Sequence, residues 1–147
     1  MAKGLNLLLD TNIWVERLLD QERANEVKKL LQEIPTENLF ISDFLLHSIG
    51  VILFRLNKRE VLNEFLNDLF IEGNVKVLSL DPADPIGLTS IAAKTKLDYD
   101  DAYQLQVAIK YELALVTFDK DFTKSKAPVI DPWKQLETMN TNRYEIF

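Results

Sequence analysis

The chemistry this sequence offers rests on Asp10, Asp101 and Asp119. Asp10 follows the apolar run in LLLDTN, Asp119 follows the one in LVTFDKDF, and Asp101 stands in LDYDDAYQLQVAI. Asp10 and Asp119 are therefore expected just past the carboxyl ends of two buried strands. Asp101 falls in the first turn of the helix before the later strand, with Leu105 and Ala108 beneath it at i+4 and i+7. In a doubly wound sheet, ligands bind outside the carboxyl ends of strands, where the strand order reverses. If the first and fourth strands are neighbours, the three acids meet at that edge. Carboxylates so placed repel by about 4 kcal/mol per pair at about 4 Å and an effective dielectric near 20, so the cluster calls for a proton or a cation. Oxygen ligands alone select Mg²⁺ or Mn²⁺. Such an ion can activate a water and stabilise the leaving oxygen of a phosphodiester. Taken singly, each aspartate also reads as a helix cap or a first-turn acid suited to the helix dipole. As a set at two strand ends and one adjoining helix start, they read as a site.

The elements that must position these acids alternate along the chain. Strands are expected at 5–9, at Leu39–Ile41, at Val75–Leu80, at Ala114–Thr117 and at Pro128–Ile130. Apolar residues at helical spacing predict helices over 24–33, 44–56, 58–72, from Pro82 and Pro85 to Lys96, and over 99–112. Ser42-Asp43 and Asp98 are suited to cap two of them. The segment 44–56 is apolar nearly all round, which predicts a buried helix. Strands separated by helices predict a parallel sheet covered on both faces, a single doubly wound α/β domain.

Bulk properties agree. A chain of 147 residues, 47% hydrophobic and 27% charged, suits one domain over 1–147, with its core at about 5–135 and a polar tail at about 139–147. The absence of cysteine excludes disulfides, thiolate metal sites and cysteine nucleophiles, and fits a cytoplasmic protein. The apolar run before Asp10 is too short for a signal peptide or a membrane span, so no membrane partner is expected. A net charge of −6 argues against a plain DNA binder but suits a carboxylate cation site.

The three segments LLLDTNIWVE, LDYDDAYQLQVAI and LALVTFDKDF together resemble PIN domains, the fold of VapC-type toxin ribonucleases and related nucleases, over roughly 5–135. The resemblance implies a sheet in the order 3-2-1-4-5 and an acidic pocket holding Mg²⁺ or Mn²⁺. It implies Asp10, Asp101 and Asp119 as the catalytic and metal-binding acids, with Asn12 and Thr117 supporting them. The implied activity is metal-dependent cleavage of single-stranded RNA, in a toxin whose partner is an antitoxin protein.

One position departs from that pattern. The family carries a glutamate six residues after a serine like Ser42, and here that place is Ser48. The alternative reading is therefore a catalytically weakened module that binds RNA or a protein partner. His47, the sole histidine, makes a polar break with Ser48 in an apolar helix and shares a face with Asp43, so a metal or substrate role competes with a purely structural one. Asp121 is a secondary candidate, and Asp100 lies about 100° round the helix from Asp101. Arg55, Lys58 and Arg59, at i, i+3 and i+4, would form one basic patch for RNA phosphates if the helix ran through Asn57; a solvated charged face is the commoner outcome. Trp14 and Trp133 read as core or interface anchors. Leu18, Leu19, Val27, Leu30 and Leu31 would serve a homodimer face, an antitoxin groove or ordinary core. A phosphorylated receiver domain also sets acids at strand ends, but LLLDTN supplies one aspartate where a receiver uses a pair.

Overall fold

The computed structural model describes residues 6–119 and the strand at 129–130. Its centre is strand β1, Leu7–Leu9, whose three leucines are wholly buried. Beside it lie β2 (Leu39–Ser42) and β4 (Ala114–Val116), with β3 (Lys76–Leu78) and β5 (Val129–Ile130) outside them. All pairings are parallel and the order is β3-β2-β1-β4-β5, as expected. Leu7, Leu8 and Leu9 pair with Ala114, Leu115 and Val116. This register brings the ends of β1 and β4 level, and Asp10 N–H donates to the Val116 carbonyl at 2.9 Å.

Successive strand residues face opposite sides of the sheet, and here the two sides carry separate cores. Leu7, Leu9, Ile41 and Val116 pack with helices α1 (Thr11–Leu18), α2 (Ala24–Glu33), α3 (Asp43–Arg55) and α4 (Arg59–Leu66). Leu8 and Leu115 pack with α5 (Pro85–Thr95) and α6 (Tyr99–Lys110). No described helix is long and apolar enough to cross a membrane.

Several boundaries differ from the sequence reading. Helix α1 begins at once after Asp10, in a mixed segment whose periodicity was too short to single out. The expected helix 58–72 is α-helical to Leu66 and then continues as a wider π-helical turn, Asn67–Glu72. Gly73 ends that turn, where a Cβ would stand 2.9 Å from the Asp68 carbonyl oxygen. Helix α3 is less buried than its composition implied. Leu45, Ile49 and Leu53 form its buried stripe, while Phe54 is 51% exposed. Ile109 of α6, expected on a buried face, is also exposed. The helix does not run through Asn57, which adopts a left-handed conformation with φ 56° between α3 and α4. Helical spacing therefore does not join Arg55 to Lys58 and Arg59, contrary to the condition set for one basic patch. Asp121, Trp133 and the polar tail at 139–147 lie outside the described residues.

The buried stripe of α3 fixes where Ser48 faces, so its packing is testable. Ile49→Ala removes a fully buried side chain and is expected to cost about 2–5 kcal/mol. Phe54→Ala, on the exposed face, is expected to stay within about 1 kcal/mol. Urea midpoints at constant m-value check both; equal losses would show the assigned faces of α3 to be wrong.

Candidate active site

The site forms where β1 and β4 end together. Asp10 caps α1, and its Oδ1 accepts from the Thr11 N–H at 2.8 Å. Its Oδ2 accepts from the Thr117 hydroxyl at 2.9 Å. That same hydroxyl oxygen accepts from the Asp119 N–H at 3.0 Å and from Asn12 Nδ2 at 3.2 Å. Thr117 thus ties the first acid to the loop that carries the last one. Asn12 and Thr117, which the resemblance names as supporting groups, are thus hydrogen-bonded to each other, and Thr117 to Asp10.

Asp101 approaches from the start of α6. Asp98 caps that helix, its Oδ1 accepting from the Asp101 N–H at 3.1 Å, as the sequence suggested. A pocket of about 300 Å³ opens between β1, α3 and α6, lined by Asp10, Asn12, Phe44, Ser48, Asp101 and Gln104 among others. Asp100 lies at its rim despite its different helix angle.

The charges in this pocket act on one another. Burial pushes the Asp10 carboxyl up, against the hydrogen bonds from Thr117 and Thr11 and the nearby amide of Gln104, and Asp119 adds repulsion. Asp101 is pushed up to about 7, first by desolvation, then by the charges of Asp98, Asp10 and Asp119. The charges of Asp10 and Asp119 thus bear on Asp101, and that of Asp119 on Asp10, while of the three only Asp10 and Asp101 are among the residues lining the pocket. Among the described residues, no three or more of His, Asp and Glu stand together so that they could hold a metal ion as placed. The donor set still suits a hard divalent cation: it is all oxygen, with Asp10 only 4% exposed.

Other sequence candidates fall differently. Ser48 lines the pocket, in the place assigned to it. His47, one residue on, is exposed and does not line it, so the argument from a buried histidine in need of a partner fails. Asp43 is engaged by the Tyr103 hydroxyl at 2.8 Å. Ser42 is wholly buried; its Oγ accepts from the Leu45 N–H and donates to Gln104 Oε1. Arg55, Lys58 and Arg59 are exposed at the α3–α4 corner, with Arg59 over the Phe54 ring at 4.9 Å. The sequence reading passed over Gln104 and Phe44. Gln104 was the more legible, being a polar side chain three residues after Asp101 on a buried helix face.

The raised carboxyls have a consequence for stability. A folded Asp101 near 7, against 3.8 unfolded, keeps a proton that the unfolded chain loses. Asp101's contribution to cation-free stability is therefore full below about pH 4, is lost as pH rises towards 7, and levels off above. Asp10 acts in the same direction. Asp101→Asn is expected to flatten this fall and to raise Tm above pH 7 in chelator. Thermal melts across pH check this, and an unchanged profile in the variant would refute it.

Comparisons place the fold among known proteins. The family model described as PIN domain matches residues 7–127. Comparison with curated proteins finds no match. Among solved structures, FitAcB from Neisseria gonorrhoeae is 24% identical, with TM-score 0.69 over 86% of this chain and 98% of that one. A toxin-antitoxin complex from Klebsiella pneumoniae gives 23% identity and TM-score 0.69 over 86% and 98%. VapC20 from Mycobacterium tuberculosis, a Sarcin-Ricin loop cleaving toxin, gives 16% and 0.70 over 83% and 96%. With the family model matched across most of its length, and the expected strand order in its sheet, this chain belongs to the PIN domain family.

Proposed function

We propose that this chain is a Mg²⁺- or Mn²⁺-dependent endoribonuclease that hydrolyses phosphodiester bonds in single-stranded RNA. The observation that carries the reading is that Asp10 and Asp101 line one pocket at the ends of β1 and β4, with the Asp119 backbone tied to Asp10 through Thr117. Asp10, Asp101 and Asp119 would hold the cation. When bound, it supplies Lewis-acid charge to the phosphodiester and makes a water more acidic. Asp101 gives up its proton on cation uptake, so affinity should fall below about pH 7. Thr117 and Asn12 keep Asp10 and the Asp119 loop in register. Water adds to phosphorus, the bond to the leaving oxygen breaks, and that oxygen takes a proton.

The same reading gives the chain a toxin's role, with an antitoxin protein as its cytoplasmic partner. A second cleft, of about 510 Å³, supports this. It is lined by Trp14, Leu18, Leu31, Val61, Phe65 and Leu69 among others, on the face opposite α5 and α6. Leu18 and Leu31 are only half-buried there, so an apolar partner segment would complete their burial. Arg55 lies seven residues beyond Ser48 on the same face of α3, about 10 Å further along, where an RNA phosphate would meet it.

A second reading rests on Ser48. A hydroxyl stands in the pocket wall where the family resemblance calls for a carboxylate, which leaves a module weakened in catalysis.

Mn²⁺-dependent cutting of single-stranded RNA by the purified chain is the expected result, with Asp10→Asn lowering it by about a hundredfold or more. An intact protein that binds neither Mg²⁺ nor Mn²⁺ at millimolar concentration by calorimetry would end the nuclease reading. Ser48→Glu should raise turnover if the weakened-module reading is right; RNA binding without turnover in the parent chain would favour that reading too.

A further inference from the structure

The mechanism above leaves Gln104 without a task. Gln104 is 1% exposed and lines the acidic pocket, yet its Nε2 has no hydrogen-bond partner among the described residues. A buried amide donor without an acceptor costs about 1–3 kcal/mol, so it calls for an explanation. The orientation of the amide follows from its neighbours. Ser42 Oγ already accepts from the Leu45 N–H, which leaves its own proton to donate to Gln104 Oε1. The reverse orientation would turn Oε1 towards Asp10 and set an oxygen dipole against a carboxylate. The NH₂ group therefore faces the pocket. It lies near enough to Asp10 to favour the charged carboxylate there, yet reaches it at no hydrogen-bond geometry.

We propose that Gln104 is a substrate-binding residue whose Nε2 donates to a non-bridging oxygen of the RNA phosphodiester in the pocket. The assignment rests on the nuclease reading for its substrate class. It is carried by the pocket's own composition. The acids Asp10, Asp100 and Asp101 line it, and among the described residues no lysine or arginine does. A phosphate entering so acidic a space needs a donor from the protein, and a neutral amide provides one without competing with a cation for the carboxylates. Ser42 holds the amide from behind, anchored in turn by the first turn of α3. The donor is thereby pre-oriented before substrate arrives.

The test uses the full chain, labelled with ¹⁵N. With Mg²⁺ present, addition of dimethyl phosphate, a minimal phosphodiester, should shift the Gln104 side-chain NH₂ resonances. Gln104→Met should leave the fold intact by its dispersed spectrum, and lower kcat/KM on single-stranded RNA by about tenfold or more. Gln104→Glu should lower it further, because a carboxylate there repels the phosphate. Unmoved NH₂ resonances, or a folded Gln104→Met that cleaves as the parent does, would overturn the proposal. Should Gln104→Met fail to fold, the resonance shift in the parent chain still decides it. A parent chain that cleaves no RNA while its Gln104 resonances respond to dimethyl phosphate would overturn the RNA substrate and leave the phosphate contact standing.

Discussion

The contact between the Thr117 hydroxyl and Asp10 holds the site together, and much of the fold exists to make it. These residues are separated by most of the chain, yet both stand one step past a buried strand. They meet because β1 pairs with β4 in a register set by Leu7, Leu8 and Leu9. A shift of that register by one residue would turn every β1 side chain to the opposite face of the sheet. It would move Leu8 into the α1–α4 core and would part Asp10 from Thr117. Packing on two faces thus enforces a polar contact at one edge. The hydroxyl has a single proton, which goes to Asp10, while its oxygen accepts from Asn12 and from the Asp119 backbone. One side chain therefore fixes the first acid, its neighbour on α1 and the loop of the last acid.

What that contact holds is unfavourable by itself. Asp10 is almost wholly buried and Asp101 is driven up to about 7 by desolvation and by three neighbouring acids. The repulsion is tolerated because the rest of the molecule is packed well enough to enforce it, with wholly buried leucines in β1 and a continuous core on each face. Capping reduces the cost locally. Asp10 and Asp98 both accept from helix-terminal N–H groups, so two of the acids also satisfy donors that would otherwise be orphaned. The reading of each aspartate as a cap was thus correct for Asp10 and Asp98. It does not compete with a role in the site, because a cap orients the carboxylate at the same edge where the strands end.

The sheet was legible because its strands are short apolar runs with abrupt polar ends. LLLD and LVTFD mark both the strand and the point where it stops, and the resemblance to PIN domains supplied the order. Burial on α3 was less legible. Composition alone made the whole helix look buried, since Phe54 and Leu56 are apolar; their exposure depends on where the chain turns at Asn57. His47 was misplaced for the same reason, because an all-apolar helix offers no polar face by which to orient it. The π-helical turn at Asn67–Glu72 left no mark in the periodicity, although Gly73 signalled where it ends. Gln104 was visible as a polar residue on a buried stripe, but its meaning came only with the contact to Ser42 across the sheet edge.

Those two corrections bear on the same wall of the pocket. With His47 turned outward, α3 contributes Ser48 and Phe44 there, and α6 contributes Gln104 beside Asp101. That part of the wall carries neutral polar groups where the family resemblance leads one to expect another carboxylate. Each carboxylate removed from such a cluster relieves repulsion by a few kcal/mol at close range. It also removes one ligand from a cation and one obstacle to a phosphate. On the proposed reading, Ser48 would therefore move the balance of the pocket from holding metal towards admitting the anionic backbone. Gln104 stands beside Asp101 in that wall, its carbonyl oxygen held by the Ser42 hydroxyl so that its amide nitrogen faces the acids.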